Sequence, residues 1–178
     1  DFASLERRTP PRADAEQVER VHSVRFRELI EDNSPAEGLV QFDADTFAGP
    51  HSVDASLRAA GGACAAVDAL YKGEAKNAFI AARPPGHHAE PERAMGFCLF
   101  NGAAIAALHA RSVHGAKRVA VVDFDVHHGN GTQDILWEEP RALFASSHQM
   151  PLYPGTGGPE ERGAHDNVLN VPLDPGTG

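Results

Sequence analysis

Apolar residues recur at helical spacing from Asp14 to Asp32, with Val18, Val21, Leu29 and Ile30 forming a partial stripe. The spacing predicts one helix over 14–32, capped by Asp14 with Gln17 placed to reach back. Asn33-Ser34-Pro35 breaks it, and residues 36–51, with Gly38, Gly49, Pro50, Asp43 and Asp45, read as loop. Ser52 to Lys72 is rich in Ala and predicts a buried helix with Gly61-Gly62 in its middle. Each glycine there costs about 1 kcal/mol against Ala, which suits a place where another backbone comes close. Asn77 to Ala82 is a short apolar run of strand type, followed by a loop, Arg83-Pro84-Pro85-Gly86-His87-His88. Asn101 to Ala110 predicts an apolar helix, and Arg118 to Val126 a buried strand. Thr132 is expected to cap a short helix through Trp137, ended by Pro140, and two more strands are expected at 143–146 and 168–171.

Apolar strands separated by helices imply an α/β fold with a parallel sheet. In such sheets ligands bind at the carboxyl ends of the strands. Both histidine pairs, His87-His88 and His127-His128, fall just after predicted strands. With 178 residues and no linker or repeat, residues 1–178 read as a single domain or part of one. The start without Met and the loop composition of Pro175-Gly176-Thr177-Gly178 favour a partial domain.

Charge narrows the partners. Sixteen Lys+Arg against 25 Asp+Glu give a formal net charge of −9, with no basic cluster, which argues against direct nucleic-acid binding. No apolar run approaches the roughly 18 residues of a membrane span, and the first residues show no apolar signal core. Cys64 and Cys98 are far apart and read as buried thiols in a reducing compartment. An intracellular, cytoplasmic location is therefore expected.

The segment Asp123-Phe124-Asp125-Val126-His127-His128-Gly129-Asn130-Gly131 carries the clearest chemistry. In an extended strand Asp123, Asp125 and His127 point to one face. Carboxylates at the end of an apolar strand are costly unless compensated, and a metal ion compensates them. One carboxylate and one imidazole two residues apart suit zinc, and equally manganese or iron. A strand end with solvated polar residues is the plain alternative. The pair His87-His88 can divide the proton transfers that a metal-assisted amide hydrolysis needs.

Together, Arg83-Pro84-Pro85-Gly86-His87-His88-Ala89, Gly96-Phe97-Cys98-Leu99-Phe100-Asn101, Val122 to Gln133, Tyr153-Pro154-Gly155-Thr156-Gly157 and Asn170-Val171-Pro172-Leu173 resemble the histone deacetylase family. The resemblance is closest to class II and bacterial deacetylase-like amidohydrolases and runs from about Val21 to the C-terminus. It implies the three-layer α/β fold shared with arginase, with a central parallel sheet that this chain leaves incomplete. It implies zinc held by Asp125 and His127, an active-site pair of His87 near the bound water and His88 transferring protons, Asp123 orienting His87, and Asn130 behind His88. Gly96 and Phe97 match one wall of the acyl-lysine tunnel. Tyr153 stands where the other wall usually has Phe, and Asp45 matches the rim aspartate. Oxygens of Asp123, Asp125, His127, Ser146 and Ser147 match a structural potassium site.

The family's third zinc ligand, an Asp, and its oxyanion-stabilising Tyr are expected beyond Gly178, so the chain alone is expected to bind zinc weakly. The implied substrates are acetylated lysine side chains or acetylated polyamines, and a homo-oligomer is open. A ureohydrolase on the same fold needs a second-metal carboxylate where Gly129 stands, and a non-catalytic acetyl-ligand binding protein would not need both His88 and Asp125. Asn130-Gly131-Thr132 is formally a glycosylation sequon but lies inside the metal motif. His22, His51, His109, His114 and His165 read as surface or internally satisfied histidines.

Overall fold

The computed structural model describes residues 4–177. The predicted first helix is two helices, α1 (Ala15–Glu19) and α2 (Val24–Asp32). Asp14 and Gln17 do form the expected reciprocal cap, at 2.8 and 3.1 Å. The break comes where Val21 and His22 both donate to Val18 O, after which Ser23 Oγ accepts from Phe26 N and caps a new helix. This turn lets His22 reach the core, and Phe26 rather than exposed Leu29 joins Val18, Val21 and Ile30 inside.

Residues 36–51 are not all loop. β1 (Val40–Gln41) and β2 (Phe47–Ala48) form a small antiparallel hairpin. Next comes α3 (Ser52–Tyr71), which buries Val53, Leu57, Ala60 and Cys64 at helical spacing. A Cβ on Gly61 would meet Ala13 N at 2.5 Å and Arg12 C at 2.6 Å, so the glycine does admit a second backbone. α4 (Gly102–Ser112) packs along α3, and Asn101 caps it by accepting from Ala104 N. Phe100, Leu57 and Ile105 are among the large residues fully buried in this helical core, each contributing roughly 1.5–3 kcal/mol.

The sheet is parallel, as expected, in the order β3 (Val119–Asp123), β4 (Ala142–Gln149), β5 (Val168–Leu173). α5 (Asn130–Leu136) lies between β3 and β4 in the chain. It begins two residues earlier than expected, and Thr132 sits inside it instead of capping it. Val119, Val121, Ala142, Phe144 and Val168 share one face, covered by Leu108 of α4 and by Ile135 and Leu136 of α5. The opposite face, with Val122, Leu143, Leu169 and Val171, is exposed. Parallel sheets are ordinarily covered on both faces, whereas among the described residues helices cover one face of this sheet.

The run 77–82 is not a strand. None of the described ladders includes it, and Phe79 is 92% exposed. An apolar run becomes a strand only where a neighbour supplies hydrogen bonds. β3 pairs with β4 on one side, and an open groove of about 710 Å³ follows its other edge, lined by Ile80, Ala59, Ala63 and Val122.

Candidate active site

The loop bearing His87 and His88 passes between two helix starts. A Cβ on Gly86 would meet Phe100 O at 2.8 Å and Gly102 N at 2.9 Å, while His87 O accepts from Thr132 N of α5 at 3.1 Å. Asn101, fully buried, gives its Nδ2 to both Ala89 O and Thr132 Oγ1. The two imidazoles are thereby held side by side, with ring centroids 3.9 Å apart.

Each ring has a different partner. His87 Nδ1 lies 2.9 Å from Asp123 Oδ2, and His88 Nδ1 lies 2.8 Å from Asn130 Oδ1. Gly129 must be small, because a Cβ there would strike the Asp123 carboxylate and lie 3.2 Å from His87 Nδ1. Burial pushes the Asp123 carboxyl up, but the His87 hydrogen bond and charge and the Asp125 N–H outweigh it and hold it below its ordinary value. His88 is 4% exposed. Burial, and next the charge of His87, push its pKa down to about 4, against the opposing hydrogen bond of Asn130.

Asp125 and His127 do not reach this site by strand alternation, because β3 ends at Asp123. The chain instead bends: Asp123 Oδ1 accepts from Asp125 N at 3.1 Å, and Asp125 Oδ1 accepts from His127 N at 2.9 Å. The bend brings Asp125 Oδ1 and His127 Nδ1 to 3.3 Å, and the His127 ring to 6.0 Å from that of His88. His128 points elsewhere. It is buried, with Nδ1 on Thr156 Oγ1 at 2.8 Å and Nε2 on Gln133 Oε1 at 3.0 Å, so only one member of the second pair faces the site.

Tyr153 stands edge-on to both His88 and His127, at 5.0 and 6.0 Å between ring centroids. Burial, then the carboxylates of Asp45 and Asp43, push its hydroxyl up to about 12. Gly96 lies against His88, and Phe97, at φ +64°, is 63% exposed. Asp45 Oδ1 accepts from Thr46 Oγ1 at 3.0 Å, and Thr46 Oγ1 accepts from Phe97 N at 3.1 Å, which ties the hairpin to the Phe97 turn. Ser146 is buried in register with Asp123, and its hydroxyl is engaged with His148 Nδ1 at 2.9 Å. Ser147 falls on the opposite face of β4, beside Val171.

The groove along β3 touches His87, Asp123 and Asp125 but not His88, Phe97 or Tyr153. It is the unpaired flank of the sheet, and His88 lies away from it, against Gly96 and edge-on to Tyr153. Sequence reasoning missed Thr46, a buried hydroxyl in an acidic loop with no motif around it, and Glu90, whose Oε1 accepts from Asn130 Nδ2. It also missed that Asp68, His109 and His114 converge, with ligand-type atoms within 4.8 Å of one another. Asp68 Oδ1 accepts from Nε2 of both histidines at 2.7 Å. Arg20, which can only donate, occupies His109 Nδ1 at 3.2 Å and leaves the ring proton on Nε2. This cluster is a satisfied clasp between α3 and the end of α4, and its residues are not among those around His88.

The model of the histone deacetylase domain matches residues 2–178. A probable deacetylase of Archaeoglobus fulgidus is 44% identical over 95% of this chain and 47% of its own. A histone deacetylase-like amidohydrolase of Pseudomonas aeruginosa is 45% identical over 99% of this chain and 47% of its own. The crystal structure of the HDA15 HD domain superposes with a TM-score of 0.87 at 38% identity, over 92% of this chain and 47% of that one. The chain thus spans about half the length of these relatives. The parallel sheet is that of the arginase/deacetylase fold, and the chain belongs to the histone deacetylase family.

Proposed function

We propose that the protein containing this chain is a zinc-dependent amidohydrolase that removes acetyl groups from amines. In this reading residues 1–178 form part of one deacetylase domain, whose remainder supplies a third zinc ligand and the oxyanion donor. One observation carries the reading: adjacent imidazoles at a strand-end site have been given opposite surroundings. His87 is held by a carboxylate and His88 by a neutral amide. Environments that set two neighbouring titratable groups apart are the mark of divided acid and base roles.

Asp125 and His127 fit zinc, offering one carboxylate oxygen and one imidazole nitrogen on a bend beside the histidine pair. When bound, zinc polarises the acetyl carbonyl and acidifies the adjacent water. His88, uncharged well above pH 4 and with Nδ1 on Asn130, would offer Nε2 to receive a proton from the attacking water. Once protonated, the buried His88 would give the proton up readily, to the leaving amine. His87, fixed by Asp123, keeps the water in place. Phe97, Gly96 and Tyr153 line the approach for a slender aliphatic arm, and Asp45 is the rim carboxylate available to substrate N–H groups. Such an arm belongs to acetyl-lysine and to acetylated polyamines. We further propose a structural potassium held by backbone and side-chain oxygens of Asp123, Asp125, His127, Ser146 and Ser147.

The test is amide hydrolysis by the complete protein on an acetyl-lysine peptide and on a mono-acetylated diamine. His88→Ala and chelated protein serve as blanks. Turnover lost in both blanks supports the reading, and the preferred amide selects the substrate. Turnover that survives either blank, or a zinc-loaded protein inert on both substrates, overturns it.

A further inference from the structure

Asn130 has two chemically different ends on one planar amide. Its Oδ1 lies 2.8 Å from His88 Nδ1. Its Nδ2 lies 2.8 Å from Glu90 Oε1 and 3.4 Å from Met95 Sδ. An amide oxygen only accepts and an amide nitrogen only donates, and a carboxylate only accepts. Glu90 therefore decides which way round Asn130 sits. The amide oxygen is left for His88, whose Nδ1 must carry the ring proton. The lone pair of His88 is then on Nε2.

Without the carboxylate this choice is weakly made. The two ends of Asn130 have nearly the same shape, and the Met95 thioether is a poor acceptor. A flipped amide would donate to His88 Nδ1 and move the ring proton to Nε2, placing a donor where the reaction requires an acceptor. We propose that Glu90 is a positioning residue: acting through Asn130, it fixes the tautomer of His88. This rests on the reading above that His88 Nε2 takes up the proton. The backbone of Glu90 is anchored independently of its side chain, by His22 Nδ1 on Glu90 O at 3.1 Å and by Glu90 N on Arg93 O at 3.0 Å. Truncating the side chain thus leaves the turn its main supports.

The test is nitrogen NMR of the histidine-labelled complete protein, with the His88 signals assigned by their loss in His88→Gln, alongside steady-state kinetics. The starting protein is expected to show His88 protonated on Nδ1. In Glu90→Ala the Nε2-protonated form appears, and kcat falls on the order of 10-fold with KM unchanged, the scale found for groups that orient a catalytic ligand. Glu90→Gln, whose Oε1 can still accept from Asn130 Nδ2, keeps the original tautomer and most of kcat. In an Asn130→Asp background, where the group facing His88 has no donor end, adding Glu90→Ala leaves the tautomer unchanged and relieves a carboxylate repulsion, so kcat rises. A residue that merely supports the fold would lower kcat in both backgrounds. Unchanged His88 signals in Glu90→Ala, or Glu90→Gln as impaired as Glu90→Ala, would overturn the proposal. The tautomer is read without turnover, so a protein inert on acetyl amides would sink the proposed reaction and still leave the Glu90 relay decided by its own measurement.

Discussion

Gly96 lies flat against the imidazole of His88: a Cβ added at Gly96 would sit 2.6 Å from His88 Cγ and 2.8 Å from His88 Cβ. The Gly96 backbone is also left-handed, at φ +56°. Glycine is required here twice, once for φ and once for the ring it supports. Gly96→Ala is expected to displace His88 from Asn130. Denaturant unfolding should show a loss of about 1–3 kcal/mol, as overpacking does. A larger fractional loss should appear in kcat, because the displaced ring is the proposed proton carrier. Full activity in a folded Gly96→Ala protein would contradict this contact.

Gly61 reads the other way from helix propensity. In an open helix, Gly to Ala gains about 1 kcal/mol. Here the added Cβ meets backbone atoms of residues 11–13, which cannot rotate aside. Gly61→Ala is therefore expected to destabilise the protein by about 1–3 kcal/mol. Thermal unfolding of Gly61→Ala beside the parent protein decides the sign.

His22 predicts a pH dependence of stability. It is 2% exposed, takes the Asn101 N–H on Nε2 at 2.9 Å, and donates from Nδ1 to Glu90 O. Burial, against the hydrogen bonds to Pro91 and Glu90, lowers its pKa from 6.5 to about 4. The folded state thus resists a proton that the unfolded chain accepts, so stability is full above the unfolded value and falls as pH drops from 6.5 toward 4. The loss is of order 3 kcal/mol, at about 1.4 kcal/mol per pH unit. His88 adds a loss in the same window. Unfolding free energies between pH 4 and 7 should show a shallower slope for His22→Gln than for the parent.

Asp68 predicts an acid effect of separate origin. Burial raises its carboxyl, but the hydrogen bonds from His109 and His114 outweigh it and hold it below 3.8. Its stabilisation is complete above that value and disappears as pH falls below it. Asp68→Asn should lower stability at pH 7 by about 1 kcal/mol, the usual worth of such hydrogen bonds, and flatten the loss seen below pH 4. Zinc content measured on the complete protein should be unchanged in Asp68→Asn, because Arg20 and the two ring protons already satisfy the clasp. A loss of one zinc per chain would show that the cluster is a metal site.

Much of this architecture follows from local chemistry and is legible in the chain. The Asp14–Gln17 cap, the Ala-rich helix from Ser52, the short apolar strands and the glycine pair that admits a second backbone all depend on near neighbours or on periodicity. The dipeptides His87-His88 and His127-His128 likewise mark the site by residue type alone. What local chemistry could not supply were relations between distant segments. Whether 77–82 becomes a strand depends on a partner, and the described residues give it none. His127 and His128 are adjacent in sequence, yet one faces the site and the other is buried on Thr156 and Gln133, because the bend after Asp123 and the start of α5 set their directions. Glu90 and Asn130, forty positions apart, meet only because Asn101, Ala89 and Thr132 lock the histidine loop against α5. Sequence determines which groups are available within a turn or a strand. The hydrogen-bond partner of a buried polar group is chosen by packing, and only the tertiary structure decides it.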